Sequence, residues 1–314
     1  MAYQRRDDLA FRRATQAIIE EEEAKKHTAL ARDLRRMLAA SAGPGVDTEA
    51  VLLPDAPRDR DSGVPLLDLV PPGRVLLGDL VLDTHVQVSL LDMVEETQEW
   101  PVLDAAGVPR RQRLLMYGPP GCGKTSAAAG MATELGLPLA IARVDSLMSS
   151  FLGETAANLR ALFDFAAQVP CVLLLDEFDT MGKLRSDPSD HGELRRVVNA
   201  VLQMVESYRG SSIIVAATNS PEILDAALWR RFDDVLELPL PRRDEIYQLL
   251  NRLLPQHPER PALRQAAAEL VGLPHAAATA TANGARRSAI RHHRTPTAGD
   301  LEEGLRRVVT RPWA

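Results

Sequence analysis

A glycine-rich loop at 118–125 carries the residues best suited to chemistry in this chain. It reads G-P-P-G-C-G-K-T, the G-x-x-x-x-G-K-T pattern of loops that cradle phosphate groups. Backbone N–H groups in such a loop point at phosphate oxygens, and the positive end of the following helix adds to the attraction. The lysine can reach the outer phosphates, and the threonine hydroxyl can ligate Mg²⁺. The residues expected to contact the phosphates or their metal are Gly118, Pro119, Pro120, Gly121, Cys122, Gly123, Lys124, Thr125 and Ser126.

Two adjacent carboxylates, Asp176 and Glu177, follow a second apolar run further along the chain. The run 171–175 reads C-V-L-L-L, which suits a strand of a parallel sheet that is covered on both faces. Carboxylates at the carboxyl end of such a strand lie at the crevice where α/β sheets bind ligands. We expect Asp176 to hold Mg²⁺ together with Thr125, and Glu177 to orient and polarise an attacking water.

The elements that must position these residues alternate between strand and helix from residue 113 to about residue 239, which predicts a parallel α/β sheet. A helix is predicted around 84–96. Another is predicted at 244–253, where apolar residues fall at i, i+3, i+4 and i+7. The predicted strands are 113–117, 139–143, 171–175, 212–217 and 234–238.

The length of 314 residues fits two domains, or one large α/β domain with an appendage. We expect a helical N-terminal arm at 1–41, a flexible linker at 42–63, an α/β subdomain at 64–241 and a helical subdomain at 242–314. The arm could dock a partner or pack on its own core, and its sequence favours neither. The alanine-rich run 276–284 predicts a weak or loosely packed helix.

Composition gives no global indication of a nucleic-acid or membrane surface, because 37 basic and 43 acidic residues leave a net charge of −6. No apolar run approaches the roughly 18 residues that span a bilayer, and the first residues lack the apolar core of a signal peptide. Cys122 and Cys171 are expected at opposite ends of the sheet, too far apart for a disulfide. Two reduced cysteines favour a cytoplasmic location.

A third apolar run, 213–219, reads I-I-V-A-A-T-N and ends in Asn219, which could bond the γ-phosphate or the attacking water. The segment 221–233 then reads P-E-I-L-D-A-A-L-W-R-R-F-D. With the loop and the carboxylate pair, this order resembles the AAA ATPases over roughly residues 75–314. The Arg-Arg-Phe sequence looks most like the branch that holds katanin, spastin and the ESCRT-disassembling ATPases. The resemblance implies an AAA+ P-loop sheet with a C-terminal helical lid, and Mg²⁺-dependent hydrolysis of ATP to ADP and phosphate.

The same resemblance assigns roles in an assembly. Residues matching Arg230 and Arg231 reach into the neighbouring subunit's nucleotide site in this family, which implies a ring homo-oligomer, a hexamer. Phe151 and Leu152 match the aromatic–aliphatic pair of the pore loop, which in a ring grips an extended protein client; 183–193 would form a second channel loop. From the residues alone, the arginines also suit surface ion pairs, and Phe151 also suits the core of its own domain.

The C-terminal region departs from the family pattern. Residues 274–277 read P-H-A-A where Ser-Gly-Ala-Asp is usual. No arginine clearly occupies the lid sensor position of other AAA+ branches. Leu250 stands near the place of a histidine that often contacts the nucleotide.

Three other functions remain open on the sequence. The basic cluster at 286–294 favours an AAA+ enzyme that acts on DNA, such as a clamp loader or transposition helper, although the Phe151-Leu152 loop disfavours it. A slow nucleotide-gated binding module is disfavoured by the presence of Glu177, Asn219 and the arginine pair 230–231. The chain could also be the motor for a separately encoded protease or effector. The leading expectation is a ring ATPase that remodels, unfolds or disassembles a protein partner of unknown identity, with nucleic acid an unlikely partner.

Overall fold

The computed structural model describes residues 54–73, 75–143, 152–177, 193–221 and 229–313. Six strands are present in these ranges: β1 (Leu67–Val70), β2 (Arg113–Tyr117), β3 (Leu139–Ala142), β4 (Val172–Leu175), β5 (Ile213–Thr218) and β6 (Asp234–Glu237). The α-helices are α1 (Thr84–Glu96), α2 (Trp100–Ala105), α3 (Lys124–Leu135), α4 (Leu152–Gln168), α5 (Glu193–Ser207), α6 (Arg243–Leu253), α7 (Arg260–Glu269), α8 (His275–Arg291) and α9 (Ala298–Val309).

The strands form one sheet in the order β1-β3-β4-β5-β2-β6. Every neighbouring pair is parallel except β1, which runs antiparallel to β3. The predicted α/β class is therefore confirmed, and the five predicted strands match the observed bounds to within one residue at each end. The sequence did not predict β1, whose four residues pair only at the sheet edge.

Alternating side chains of the central strands fill a separate core on each face of the sheet. Leu115 of β2 enters one core, with side chains of α4 and α5. Leu114 and Met116 enter the other, with side chains of α1 and α3. Because both faces are covered, the central strands must be apolar throughout, and all four residues of β4 are buried. This is why their sequence is continuous rather than alternating.

Helices α6 to α9 enclose a third core of their own. The weak, loosely packed helix predicted at 276–284 is wrong, because α8 is continuous and Ala277, Ala278 and Ala282 are at most 1% exposed. A Cβ added to Gly304 of α9 would lie 2.7 Å from the backbone oxygen of Thr281. Small residues on both helices therefore allow α8 and α9 to approach closely. This close packing of the two helices fills the space that large apolar side chains would otherwise fill in the core.

Residues 54–63, which were expected to belong to a flexible linker, pack against the sheet domain. The Asp59 carboxylate accepts hydrogen bonds from the Ser62 backbone and from the Asn158 side chain of α4, both at 2.7 Å. The Ser62 hydroxyl, which donates to the same carboxylate at 2.7 Å, contributes most, and together these bonds lower the pKa of Asp59 to about 2. The predicted N-terminal arm at 1–41 lies outside the described residues. Within the described ranges, none of the helices combines the length and the apolar character needed to cross a membrane.

Candidate active site

The glycine-rich loop connects the end of β2 to the start of α3, as the sequence predicts. Gly118 follows β2 directly, and a Cβ there would lie 2.2 Å from the backbone oxygen of Leu238, so a side chain cannot be accommodated. Gly121 has a φ of +75°, a left-handed conformation that glycine adopts without strain. The chain can therefore turn tightly enough to bring loop amides and the N-terminus of α3 to one side of the cavity.

Lys124 is only 6% exposed and extends back into its own loop. Its Nζ atom donates hydrogen bonds to the backbone oxygens of Gly118 (2.7 Å) and Pro119 (3.0 Å), and to Oδ1 of Asn219 (2.7 Å). A buried ammonium needs such acceptors, since an unpaired charge in this position would be costly. These contacts hold the cation at the loop and connect it to the end of β5.

The two carboxylates meet the loop at the carboxyl end of β4. The Thr125 hydroxyl donates to Oδ2 of Asp176 at 2.6 Å, and the Glu177 backbone N–H donates to Oδ1 at 2.9 Å. Glu177 is exposed and has a φ of +51°, which is uncommon for a residue with a side chain. Such strain is often found at functional sites.

The donor set fits Mg²⁺. One hydroxyl and one carboxylate oxygen lie together beside a phosphate-type loop, and Mg²⁺ typically takes few protein ligands and fills its other positions with water and phosphate oxygens. The described residues contain no cluster of three or more His, Cys, Asp and Glu side chains that could hold a metal by themselves. Thr125 and Asp176 would hold the ion, and it would supply positive charge next to the transferring phosphate.

These residues line one side of an open cavity of about 630 Å³, within the usual range for small-molecule sites. The other side is formed by α8, whose contribution the sequence analysis missed. The backbone N–H of Ala276 donates to the Gly121 oxygen at 3.0 Å, so the first turn of α8 rests on the loop. The lining residues are Pro120, Gly121, Gly123, Lys124, Thr125, Ser126, Asp176, Glu177, Asn219, His275, Ala276, Thr279, Ala280, Asn283 and Arg287.

Two of the α8 residues bring titratable or charged side chains to the cavity. His275 stands at the first position of the helix, and burial lowers its pKa, so the ring is neutral near pH 7. Arg287 brings a cation to the rim of the cavity, although the sequence indicated no clear arginine at the lid sensor position and only a contact with DNA for the basic cluster 286–294. The signal that could have found it is the helical spacing 276, 280, 283 and 287, which places all four positions on one face.

The predicted arginines lie away from this cavity. Arg230 is exposed, and Arg231 forms an ion pair with Glu206 at 2.7 Å. The backbone oxygen of Glu206 accepts a hydrogen bond from Arg113, the first residue of β2. The glycine-rich loop follows the last residue of β2, so the Arg231–Glu206 pair lies at the opposite end of this strand from the loop. Neither Arg230 nor Arg231 lines the cavity of its own chain.

Phe151 and most of the predicted second channel loop at 183–193 lie outside the described residues, and Leu152 is the first residue of α4. Cys122 and Cys171 are both buried free thiols. Burial raises the pKa of each, so both favour the protonated form near neutral pH.

Comparison with known proteins agrees with this geometry. Residues 114–240 match the ATPase family associated with various cellular activities (AAA). The chain is 40% identical over 243 residues to an AAA family ATPase of Sinorhizobium fredii, y4kL, covering 77% of this chain and 73% of that protein. It is 33% identical over 190 residues to the peroxisomal ATPase PEX6 of Penicillium chrysogenum, covering 56% of this chain but only 13% of PEX6.

The fold also resembles the crystal structure of the FIGL-1 AAA domain. The TM-score is 0.63 at 24% identity, and the match covers 78% of this chain and 87% of that chain. A second crystal structure of the same domain, in complex with ADP, gives a TM-score of 0.62. The assignment to the katanin and spastin branch stays a prediction. From its relative in Sinorhizobium and the matched family region, the chain belongs to the AAA family of ATPases.

Proposed function

We propose that this protein is a Mg²⁺-dependent ATP hydrolase that assembles into a ring and uses hydrolysis to remodel a protein partner. The observation that carries the proposal is the convergence of three strand ends on one cavity. Lys124 follows β2, Asp176 and Glu177 follow β4, and Asn219 follows β5, and all four line that cavity. Parallel strands bring such residues to one edge of the sheet.

Each side chain has a task that suits its position. The loop amides and Lys124 bind the phosphates, and in doing so Lys124 exchanges some of its present oxygen partners for phosphate oxygens. Thr125 and Asp176 hold Mg²⁺. Glu177 orients the attacking water and draws on its proton, which its exposed position permits. Asn219, already bonded to Lys124, stands beside the outer phosphate and fixes the water or the phosphate oxygen there.

The position of the arginines supports the ring. Arg287 lines the cavity of its own chain, whereas Arg230 and Arg231 lie away from it, so any nucleotide that these two contact would be bound to a neighbouring copy. A head-to-tail interface of this kind repeats until the ring closes, and we propose six subunits. Phe151 and Leu152 are proposed to contact the protein client in the central channel.

The basic cluster that favoured DNA is divided in the fold. Arg294 forms an ion pair with Asp300, and Arg287 faces the nucleotide cavity. Arg286 and Arg291 are exposed, and Arg286 lines a second surface cavity together with Arg294. We therefore propose protein remodelling, and not an action on DNA, as the function. We also propose that the α/β subdomain spans residues 64–241 and the helical subdomain residues 242–314.

The test is the substitution Glu177→Gln, which keeps the side-chain shape but removes the charge that draws on the water. We expect turnover to fall by about 10² to 10³-fold while ATP binding is retained, so that ATP-bound protein accumulates and ring assembly increases. Glu302→Gln, at an exposed position of α9, is the matched control and should hydrolyse ATP normally. Phosphate release and size-exclusion chromatography in ATP measure both effects. Normal turnover in Glu177→Gln would contradict the assigned role.

A further inference from the structure

A second surface cavity lies in the helical subdomain, between the end of α6 and the end of α8. Its volume is about 350 Å³, and we call it the α6–α8 groove. Leu253, Pro255 and Ile290 contribute apolar surface to it, and Arg286 and Arg294 contribute cations. The groove shares no lining residue with the nucleotide cavity, so it is a separate surface that the proposed hydrolysis does not use.

Ile290 gives the groove an apolar edge. Its side chain is 69% exposed, the largest exposed fraction among the big apolar side chains that the structure describes. A single exposed isoleucine would need no explanation, but this one adjoins the apolar surface of Leu253 and Pro255. An apolar surface that is bordered by charged groups indicates a contact with another segment or partner.

The charged groups around Ile290 are all positive or neutralised. Arg286 lies one turn before it in α8, and Arg291 follows it directly. Neither arginine has a hydrogen bond or ion pair within the part of the chain that the structure describes, whereas Arg294 is paired with Asp300. No acidic residue lies between Arg286 and Arg294 in the sequence. The groove therefore favours an occupant that carries an apolar side chain close to several carboxylates.

The N-terminal arm holds a segment with this chemistry. Residues 18–23 read I-I-E-E-E-E, which is the only run of four acidic residues in the chain and directly follows two isoleucines. In the helix that the sequence predicts for the arm, Ile18 would share a face with Glu21 and Glu22. Ile290 and Arg286 have the same spacing of four residues in α8. The two segments are therefore complementary in both apolar character and charge.

The connection to the sheet domain is long enough for this segment to reach the groove. Residues 24–53, roughly 30 residues, separate it from the first described residue, Pro54, and can span about 100 Å when extended. A compact domain of about 260 residues has a radius of gyration of only about 18 Å. The chain length thus places no restriction on the contact.

We propose that residues 18–23 dock in the α6–α8 groove. Ile18 packs on Ile290 there, and the acidic run pairs with the arginines around it. The docked segment covers the last turns of α8, whose first turn rests on the phosphate loop through the Ala276–Gly121 bond. The arm is thereby attached to the helix that borders the nucleotide cavity. This inference does not depend on the proposed function, because the groove and the nucleotide cavity are separate.

The experiment uses photo-crosslinking within the full-length purified protein. The photoreactive residue benzoylphenylalanine is placed at Thr295, an exposed residue of the groove, and the crosslinked peptides are identified by mass spectrometry. We expect crosslinks within or next to residues 18–23. The same photoreactive residue at Val271, which is 56% exposed and lies outside the groove, is the matched control and should give no crosslink to that segment.

Charge reversal tests the pairing from both sides. Replacing the four glutamates at 20–23 by lysine should lower the crosslink yield at least about fivefold, because like charges then face each other. Arg286→Glu with Arg291→Glu should do the same, and neither arginine has a contact among the described residues whose loss would disturb folding. Combining both sets restores opposite charges, so the yield should return to within about twofold of the original.

Ile290→Ser tests the apolar part of the contact and should also lower the yield, with an unchanged melting temperature as the control for folding. An unchanged yield in Ile290→Ser would mean that charge alone attracts the arm, and the docking proposal would be wrong. Crosslinks that fall only outside residues 1–41 would overturn the inference, as would a yield that neither charge reversal changes. A combined variant with no recovery would also overturn it, because direct pairing of the two sets requires that recovery.

Discussion

The arginine pair offers the sharpest test of how the active site is completed. In the double substitution Arg230→Ala with Arg231→Ala, the nucleotide cavity of the same chain keeps all of its lining residues. The change removes the Arg231–Glu206 ion pair, whose side chains are 31% and 59% exposed. Such a surface pair contributes about 0–1 kcal/mol to stability, so the variant should fold normally. A loss of activity can then be assigned to the site of the neighbouring copy.

The expected magnitude follows from the chemistry of the guanidinium group. An arginine that stabilises a transferring phosphoryl group is worth about 10³ to 10⁵ in rate, so the double variant alone should be almost inactive. Lys124→Ala should also be inactive, because its own loop can no longer hold the phosphates, yet its arginines are intact. In rings assembled randomly from equal amounts of the two variants, about one quarter of the head-to-tail interfaces join an intact cavity to intact arginines. Mixed rings should therefore regain about a quarter of the normal activity per subunit.

The assay is phosphate release at fixed total protein, using mixed rings from co-expression with two affinity tags. Arg311→Ala, at an exposed arginine near the C-terminus, serves as the matched control and should retain full activity. If the mixed rings were no more active than either variant alone, the arginines would not act between copies. If the double variant alone were fully active, the arginines would have no role in hydrolysis.

Two further predictions concern the helical subdomain. Gly304→Ala should lower its stability by about 1–3 kcal/mol, because the added Cβ would lie 2.7 Å from the Thr281 oxygen; Gly299→Ala in the same helix, where the nearest atom is 3.9 Å away, should leave the calorimetric melting temperature unchanged or slightly higher. Arg294, Ser288 and Thr297 hold the pKa of the buried Asp300 carboxyl well below its ordinary value of 3.8, so its stabilising effect is complete above that pH and is lost as the pH falls below it. Asp300→Asn should have a lower melting temperature than the unmodified protein at pH 7, and the difference between the two melting temperatures should shrink as the pH falls to 2. A constant difference across that range would contradict this assignment.

The sequence predicted the central sheet well, because the apolar runs that favour each strand locally are also what a sheet covered on both faces requires. The run that became β4 is continuously apolar, those of β2 and β5 are apolar except at Arg113 and Thr218, and each strand is followed by residues that line the cavity. The edge strand β1 was missed because its four residues form a strand only through pairing with β3. A short segment with an exposed Asp68 carries no local signal strong enough to predict that partner.

The contribution of α8 to the site could not be derived from the sequence for a different reason. His275 and Arg287 are far from the glycine-rich loop in sequence, and they reach the cavity only because the helical subdomain docks on the loop. The alanine-rich run obscured this further, since its small side chains give little local signal although Ala277, Ala278 and Ala282 are buried in the core of the helical subdomain. Docking between subdomains is a tertiary property that helical periodicity does not reveal.

The contacts that hold the helical subdomain against the sheet explain how a bound nucleotide could control its position. Besides the Ala276–Gly121 bond, Arg242 pairs with Asp83 at 3.2 Å and Arg252 donates to the Gly78 oxygen at 3.2 Å, both at exposed positions. Such polar contacts contribute roughly 1 kcal/mol each, whereas the subdomain is held together by its own buried core. A ligand that bonds both the loop and α8 adds contacts of comparable total strength across the same boundary. The orientation of the helical subdomain should therefore depend on the occupant of the cavity, which is the coupling that a hydrolysis-driven machine requires.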